Sequence, residues 1–447
     1  MYAMQTSILP NIGRFTAIAL FCGVVFVAHA GDEPPFEKLP KTLTASSVLP
    51  GMTLKGDGYT INESVSNDGF LNTYKIKSDY GEFTVVGTDQ LRARIQEIQA
   101  TKALEELERS DAFKDAVKGS VAGMVEGGKS LATAPVETTK GAVKGMGRWM
   151  ANVGRSVTSS DPHQENVLKT ALGHDVTKRA YALDFGVDPY TDFEPFQERL
   201  GEVARAATAG GLITSVATDA VTQGTMAGTV VTVTSLAGLK EVLKDNPPGT
   251  LTTINRKKLQ AMGIENHQAD ALLRNYNYSP TGMTLMVEAL RRMGTDMKGR
   301  EIFVAHATAA PDKVIARYMQ QRAEMIANYV TETGKGNFID LANESWLMTR
   351  SGILIGTFPI DYLAWTPELS ADAQLASEGL EKQSATKGKE LWIEGQMDPV
   401  ARKTLEGRGW KVKEKVRLVN RSKSAGSSDK TPVSSGTVGA GKVTPRP

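Results

Sequence analysis

A long stretch with almost no charge, from Ala206 to Leu239, constrains the fold of this chain more than any other feature. Asp219 is its only formal charge, and the other residues are almost all Ala, Gly, Thr, Ser, Val, Leu, Ile and Met. Apolar surface of this extent is unfavourable in water. The fold must therefore bury the stretch.

Three interpretations of this stretch compete. Small residues recur at helical spacing, as in Ala206 with Gly210 and Gly224 with Gly228, and such pairs let two helix backbones approach closely in water or in lipid. We favour a buried pair of Ala/Gly-rich helices, because a membrane span needs about 20 strongly apolar residues and Thr, Ser and Gln interrupt this stretch. A membrane hairpin is the second interpretation. The β-branched run Val230–Thr234 allows a strand as the third.

Residues 1–30 have the pattern of a secretory signal peptide. Arg14 precedes an apolar run from Phe15 to Val27, and Ala28-His29-Ala30 supplies a small-x-small cleavage site. The single cysteine, Cys22, lies inside that run, so the mature chain would have no disulfide and no thiolate site. A membrane anchor is the alternative, but it requires a longer apolar run. We therefore expect an exported protein, periplasmic or secreted and peripheral to a membrane.

The rest of the pattern predicts an α+β fold, mainly helical. It comprises a small N-terminal β meander, a large helical body with the Ala/Gly-rich buried helix pair, and a C-terminal α/β unit. The predicted segments are a signal peptide (1–30), a polar Pro-rich leader (31–50) that lies against the body or is mobile, a β meander plus long helix (51–117), a Gly-rich basic amphipathic segment (118–160), a helical body (161–335), the C-terminal α/β unit (336–420) and a disordered tail (421–447).

The meander is indicated by β-branched and aromatic residues in 59–65, 74–77 and 83–87, with the turn residues Asn67-Asp68-Gly69 between the first two runs. From Leu91 to Val117, apolar residues recur at helical spacing among charged ones. Because the meander is small for independent stability, we expect its strands and the C-terminal strands to complete one sheet.

Helical patterns dominate the middle of the chain, and mixed patterns follow. The predicted helices are 166–183, 193–207, 255–262, 268–274, 279–293 and 312–330, with Ser279-Pro280 as a helix start. In the C-terminal unit we expect a hairpin of Glu344–Thr349 with Gly352–Phe358, a helix at 370–384, and a strand–helix–strand unit over 390–416.

The segment 118–157 is locally basic. Between Lys118 and Arg155, six basic residues against two acidic ones give a formal charge of +4, although the whole chain carries only +2. The small net charge argues against a general nucleic-acid binder. A basic amphipathic helix suits an anionic membrane surface or an envelope protein, whereas the simpler interpretation packs its apolar stripe on the body. The candidate contact residues are Lys140, Lys144, Arg148, Trp149 and Arg155.

An acidic loop is the only candidate metal site. Asp184, Asp188 and Asp192 supply oxygen ligands of the kind that Ca²⁺ prefers, but their spacing lacks the alternating pattern of known calcium loops. The alternative is helix capping, with Thr191 or Asp192 as the N-cap and Glu194 in the first turn. Capping explains the residues more simply.

Sequence motifs for catalysis are weak. The histidines outside the signal peptide, His163, His174, His267 and His306, do not form pairs at helical spacing for a metal. Gly123 to Ser130 matches the spacing of a phosphate loop, but a charged helix precedes it instead of a buried strand. We therefore expect no cofactor.

These observations favour a non-catalytic cell-envelope scaffold or binding protein that touches an anionic membrane surface or a partner through residues 118–157. The alternative is an exported hydrolase whose site is assembled from scattered residues. Its candidate participants are Asp184, Asp188, Asp192 and His174. The sequence names no substrate or ligand.

Overall fold

The computed structural model describes residues 34–109, 113, 175–210, 239–342, 344–381 and 386–416. Several predictions fall outside these residues and stay predictions. They are the signal peptide, the Ala/Gly-rich stretch beyond Gly210, the C-terminal tail and the basic contact residues Lys140, Lys144, Arg148, Trp149 and Arg155.

The fold is α+β and mainly helical, as predicted. The strands are β1 (Lys41–Thr44), β2 (Lys55–Gly56), β3 (Tyr59–Ile61), β4 (Ser64–Asn67), β5 (Asn72–Ser78), β6 (Gly81–Val86), β7 (Gly336–Leu341), β8 (Glu344–Thr349), β9 (Ile353–Phe358), β10 (Tyr362–Leu363), β11 (Gly388–Ile393), β12 (Gln396–Met397) and β13 (Trp410–Lys413). The helices are α1 (Ala45–Val48), α2 (Thr88–Arg109), α3 (described over 175–184), α4 (Glu194–Gly210), α5 (Lys240–Asp245), α6 (Pro248–Ala261), α7 (Asn266–Leu273), α8 (Pro280–Arg292), α9 (Arg300–Thr308), α10 (Lys313–Thr333), α11 (Pro367–Glu381) and α12 (Pro399–Gly407).

Strands β1 to β6 form an antiparallel sheet around β5. Strand β6 pairs along one edge of β5, while β3 and β4 share the other edge. The predicted turn after β4 forms because the Asp68 carboxylate accepts the N–H groups of Phe70 (3.0 Å) and Leu71 (2.8 Å), and Gly69 adopts a φ of +104°. Strand β1 belongs to the predicted leader, which therefore lies against the body over residues 34–50.

One face of this sheet is buried against α2 and α4. Tyr74 and Ile76 of β5 pack with Leu91 and Ile98 of α2, and Phe196 of α4 joins the same core. The strand residues alternate with a period of 2, and the helix residues recur with a period of 3.6. These two spacings predicted the strand and the helices from the sequence. We call this the N-terminal core.

Two helices of the helical body, α8 and α10, begin with side-chain caps. The Ser279 hydroxyl accepts the N–H of Gly282 (3.0 Å) at the start of α8, and the Asp312 carboxylate accepts the N–H groups of Val314 and Ile315 (both 2.9 Å) at the start of α10. Both starts were predicted. The helices α5 and α9 were not. Among the described residues, no helix combines the length and the apolar composition that a bilayer span needs.

The C-terminal sheet has the strand order β13-β11-β9-β8-β7. Strands β9, β11 and β13 are parallel, and β7 and β8 add antiparallel strands at one edge. This confirms the predicted hairpin and the strand–helix–strand unit. Buried Arg322 fixes α10 to the sheet, because its guanidinium donates to the carbonyls of Ser345 (2.6 Å) and Thr357 (3.1 Å) and pairs with Glu344.

The expectation that the two groups of strands complete one sheet is wrong. The N-terminal strands form their own sheet, covered by α2 and α4, and the C-terminal strands form another that packs with α9 and α10. The C-terminal sheet shares a second hydrophobic core with the helical body, which we call the C-terminal core. Each sheet has enough strands and its own helical cover, so neither needs the other's edge.

The two cores meet through polar contacts around Asp361, which lies between β9 and β10. Its buried carboxylate accepts the backbone N–H of Asn72 (2.8 Å) and of Thr88 (3.1 Å). In the opposite direction, the Asp361 N–H donates to the carbonyl of Phe70 (2.9 Å). A single residue of the C-terminal unit therefore holds the start of β5 and the start of α2.

We predict that Asp361→Ala lowers the free energy of unfolding by about 2–4 kcal/mol, because it leaves two buried N–H groups without an acceptor. Asp361→Asn should cost less, since an amide oxygen can still accept and carries no buried charge. Urea unfolding of both variants measures this, with Asp340→Ala on the exposed side of β7 as the control. Equal stability of Asp361→Ala and wild type would contradict the role of Asp361.

Candidate functional site

A cavity of about 770 Å³ lies at the junction of the two cores. Its walls are the first turns of α2, the loop 186–192, the start of α6, the segment 273–285 and the N-terminal half of α10. The volume is in the range of small-molecule sites, which occur preferentially at such junctions. We call this space the junction cavity.

Among the carboxyl-bearing residues of this wall, Glu97 of α2 is the most buried, and its neighbours are charged. Its side chain is 5% exposed, accepts a hydrogen bond from the Thr191 hydroxyl and lies 3.3 Å from the Arg94 guanidinium. Burial raises the pKa of Glu97 to about 7, against the opposing effects of Arg94 and Thr191. The group is therefore partly protonated near neutral pH.

Next to it, Asp192 has the opposite electrostatic environment. The Lys313 ammonium lies 2.7 Å from its carboxylate and lowers the pKa of Asp192, and Arg94 lies 3.5 Å away. Arg94 thus lies between a carboxyl group that favours its protonated form and a carboxylate that is held ionised.

A second group of carboxyls lies at the junction. Asp89 pairs with Arg317, whose Nε lies 2.9 Å away, and Glu394 lies 3.9 Å from Arg92. Burial and the nearby carboxylates of Asp89, Asp361 and Glu324 raise the pKa of Glu394 to about 8, with Arg92 opposing them. Glu394 is thus mostly protonated at pH 7, although its side chain is still 24% exposed.

Asp188 bridges the loop 186–192 to the start of α8. Its carboxylate accepts the hydroxyls of Thr281 (2.6 Å) and Ser279 (2.9 Å) and the N–H of Tyr190 (3.0 Å). A negative charge at a helix N-terminus is favourable, because the first N–H groups of the helix have no acceptor within it. Asp188 therefore has a structural task at the cavity wall.

Asn255 of α6 presents an acceptor without a partner. Its side chain is 1% exposed and lines the junction cavity. The amide nitrogen donates to the Thr284 hydroxyl (3.0 Å), and that hydroxyl donates to the carbonyl of Pro280 (2.8 Å). This chain of donors fixes the amide orientation and leaves Oδ1 without a hydrogen-bond partner among the described residues. The hydroxyl of Tyr190, also in the wall, has none there either.

The three acidic residues of the predicted calcium loop have three different sets of partners. Asp184 pairs with Lys240 (2.5 Å), Asp188 with the start of α8, and Asp192 with Lys313. Within the described ranges, no cluster of three His, Cys, Asp or Glu side chains could hold a metal ion. The structure does not bring these acids together, and His174 lies outside the described residues.

Neither Thr191 nor Asp192 is the N-cap of α4, contrary to the prediction. The helix begins at Glu194, so Phe193 occupies the N-cap position rather than Thr191 or Asp192. The Thr191 hydroxyl accepts the N–H of Phe193 (3.2 Å) and donates to Glu97. Glu194 is in the first turn, as predicted.

The sequence did not indicate Glu97, Asn255, Asp361 and Glu394 as site residues. Glu97 directly precedes buried Ile98 on an amphipathic helix, so a charge beside the apolar stripe was the available signal. Asp361 and Glu394 follow strands β9 and β11, which are neighbours in one sheet. Nothing local shows that they meet α2.

Known proteins give no guide to this site. No protein-family model matches the chain, and comparisons with curated proteins and with solved structures return no significant similarity. The geometry alone must support a function.

We predict that Glu97→Gln becomes more stable relative to wild type as the pH rises. Folding raises the pKa of Glu97 from 4.5 to about 7, so its contribution to stability is fully present below pH 4.5 and is lost as the pH rises through 7. Glutamine resembles the protonated form at every pH. The difference in unfolding free energy between Glu97→Gln and the wild type should change by about 2–3 kcal/mol between pH 5 and pH 8 in urea titrations. A difference that is independent of pH would contradict the raised pKa.

For Asp188 we predict a loss of stability. Asp188→Ala removes the acceptor of two hydroxyls and one backbone N–H, which should cost about 1–3 kcal/mol in urea unfolding. Asp188→Asn retains part of this bonding and should lose less. An unchanged unfolding midpoint in Asp188→Ala, together with lost function, would instead indicate that Asp188 acts on a ligand.

Proposed function

We propose that this chain is an exported, non-catalytic binding protein of the cell envelope, and that it holds a small polar ligand in the junction cavity. The signal-peptide pattern at residues 1–30 supports export. The cavity has a suitable volume, and residues from both cores line it.

One observation carries this proposal: the buried Asn255 oxygen in the cavity wall has no hydrogen-bond partner among the described residues. A buried acceptor without a donor costs about 1–3 kcal/mol, and folded proteins leave few such groups. A donor on a bound molecule would remove this cost. The Tyr190 hydroxyl adds a second open position in the same wall.

Contacts of the acidic side chains favour binding over hydrolysis. One oxygen of Glu97 accepts from Thr191, and the other is buried beside Arg94. Asp192 is held by Lys313. A general acid or base must reach the substrate within hydrogen-bond distance. Glu97 and Asp192 are each already paired with a cationic side chain of the protein.

A hydrolase is the second candidate, because Glu394 lines the cavity with a pKa raised to about 8 and could deliver a proton. The two candidates differ in the fate of the ligand. A binding protein releases it unchanged, whereas acid catalysis by Glu394 would alter it and would stop in Glu394→Gln.

The segment 118–157 would supply a second contact, to an anionic membrane surface or an envelope protein. Its local charge of +4 supports this part of the proposal, with Lys144, Arg148 and Trp149 among the contact residues.

The cavity can be tested by filling it. Gly249 lines the cavity near the start of α6, and a Cβ added there meets no atom within 4 Å. We predict that Gly249→Trp keeps the fold but abolishes the thermal stabilisation that a panel of polar metabolites gives the wild type. Saturation at 100 times Kd should raise the unfolding free energy by about 2.7 kcal/mol.

The matched control is Gly407→Trp at the end of α12. Its added Cβ also meets open space, but Gly407 does not line the cavity. It should bind ligand as the wild type does. If no compound stabilises the wild type, or if Gly249→Trp binds as well as wild type, the cavity is not the binding site.

A further inference from the structure

The charge of the cavity wall restricts which ligand the proposed binding function can serve. Seven carboxyl groups and three cationic side chains line the junction cavity among the described residues, a net formal charge of −4 when every carboxyl is ionised. Asp188 bonds to neutral hydroxyls and a backbone N–H, and Asp361 bonds to backbone N–H groups. Within the described part of the chain, neither carboxylate has a cationic side chain as its hydrogen-bond partner, and the more distant charges of Arg317 and Arg92 act on them.

Of the open hydrogen-bonding positions in the wall, Asn255 Oδ1 requires a donor, while the Nε of Arg94 is itself a donor. Asn255 Oδ1 can only accept, and its orientation is fixed by the bond to Thr284. A ligand that meets this oxygen must therefore carry an N–H or O–H group. Anionic ligands without such donors are disfavoured by both the charge and the acceptor.

An exposed aromatic ring stands at the edge of the same cavity. Tyr276 is 91% exposed and lines the cavity between Asn275 and Asn277. These two amides fix the loop, because Asn275 donates to the carbonyls of Thr308 (3.1 Å) and Ala310 (2.9 Å), and Asn277 donates to that of Ala310 (3.0 Å). The ring is thus presented on a rigid backbone, which reduces the entropy cost of binding.

We propose that the ligand is a small organic cation with amine N–H donors, bound with its charge among the cavity carboxyls and against the face of Tyr276. This inference rests on the proposed binding function and names its ligand class. A cation over a tyrosine ring is attracted by the ring's quadrupole, and carboxylates accept the charge-assisted N–H bonds. An oligoamine and a basic amino acid share this chemistry.

Two protonated carboxyls give the binding a pH dependence. Glu97 faces Arg94, Asp192, Arg317 and the hydroxyl of Thr191. With a pKa raised to about 7 by burial, it is half-protonated at neutral pH. A cation in the cavity favours the ionised form and therefore expels this proton.

Glu394 faces Asp89, Asp361, Glu324 and Arg92, and burial and the three carboxylates raise its pKa to about 8. It releases a proton for the same reason. Since ligand and protons compete below pH 8, affinity for a cation should rise from pH 6 to pH 8.5, and protons should be released on binding. A neutral ligand would show neither effect.

Isothermal titration calorimetry of the full chain tests the inference, with spermidine and arginine as cationic probes, N-acetylglucosamine as a neutral probe and succinate as an anionic one. We expect the cations to bind more tightly at pH 8.5 than at pH 6, with affinity rising about tenfold per pH unit for each full proton released. Titrations in buffers of different ionisation enthalpy count these protons. Spermidine and arginine distinguish an oligoamine from an amino acid.

Three variants and one control complete the test. Tyr276→Ala should weaken cation binding about two- to fivefold, and Tyr276→Phe should restore it, because the ring face is retained. Glu394→Gln should reduce the protons released and flatten the pH dependence. Leu375→Ala is the control, because this side chain is 45% exposed and lies outside the cavity lining.

The outcomes separate the inference from the proposed function. Binding of N-acetylglucosamine or succinate without binding of the amines overturns the ligand class but leaves the binding function standing. No binding of any probe, together with no stabilisation of the wild type by any compound of the metabolite panel, overturns both. Amine binding that is insensitive to Tyr276→Ala and Glu394→Gln reflects general attraction to an acidic surface and also overturns the inference.

Discussion

The buried carboxylate of Asp361 holds the two halves of this protein together. It accepts N–H groups at the start of β5 and the start of α2, which belong to a different core from its own. Such a group is costly to bury unless it is fully hydrogen-bonded. Its bonds therefore fix the relative position of the N-terminal sheet and the C-terminal unit more strictly than apolar contact would.

The junction cavity follows from this arrangement. Two cores that each bury their own apolar faces meet here, and the gap between them is lined by charged and hydroxyl groups among apolar side chains. Arg317 of α10 reaches Asp89 of α2 across this gap, and Lys313 reaches Asp192. Burial in the same region raises the pKa values of Glu97 and Glu394. The contacts that join the cores also give the cavity its chemistry.

Local sequence signals predicted most of the elements but not their assembly. Ser279-Pro280 and Asp312 marked helix starts because capping depends on residues close in the chain. Strand β7 was missed because Gly336, Asn337 and Asp340 are poor strand formers, and pairing with β8 determines their conformation.

The candidate site depends on contacts over long sequence separations, such as Asp361 with Thr88 and Arg317 with Asp89. No periodicity or spacing encodes these pairs. One long-range contact, that of Arg322, is partly visible in the sequence. Arg322 lies three residues after Met319 and four before Ile326, on the apolar face of α10. A charge on that face indicates a buried partner. The acidic loop was noticed for its composition, but its residues serve as structural bonds to Lys240, α8 and Lys313.

A ligand bound between the two cores would contact both of them. Hydrogen exchange of the full chain, measured by mass spectrometry with and without saturating spermidine, is the decisive measurement. We expect slower exchange on both walls, in peptides covering 88–97 and 273–282, with no change in a peptide covering 399–413. Slowing that is absent, or confined to peptides outside the cavity, would contradict binding between the cores.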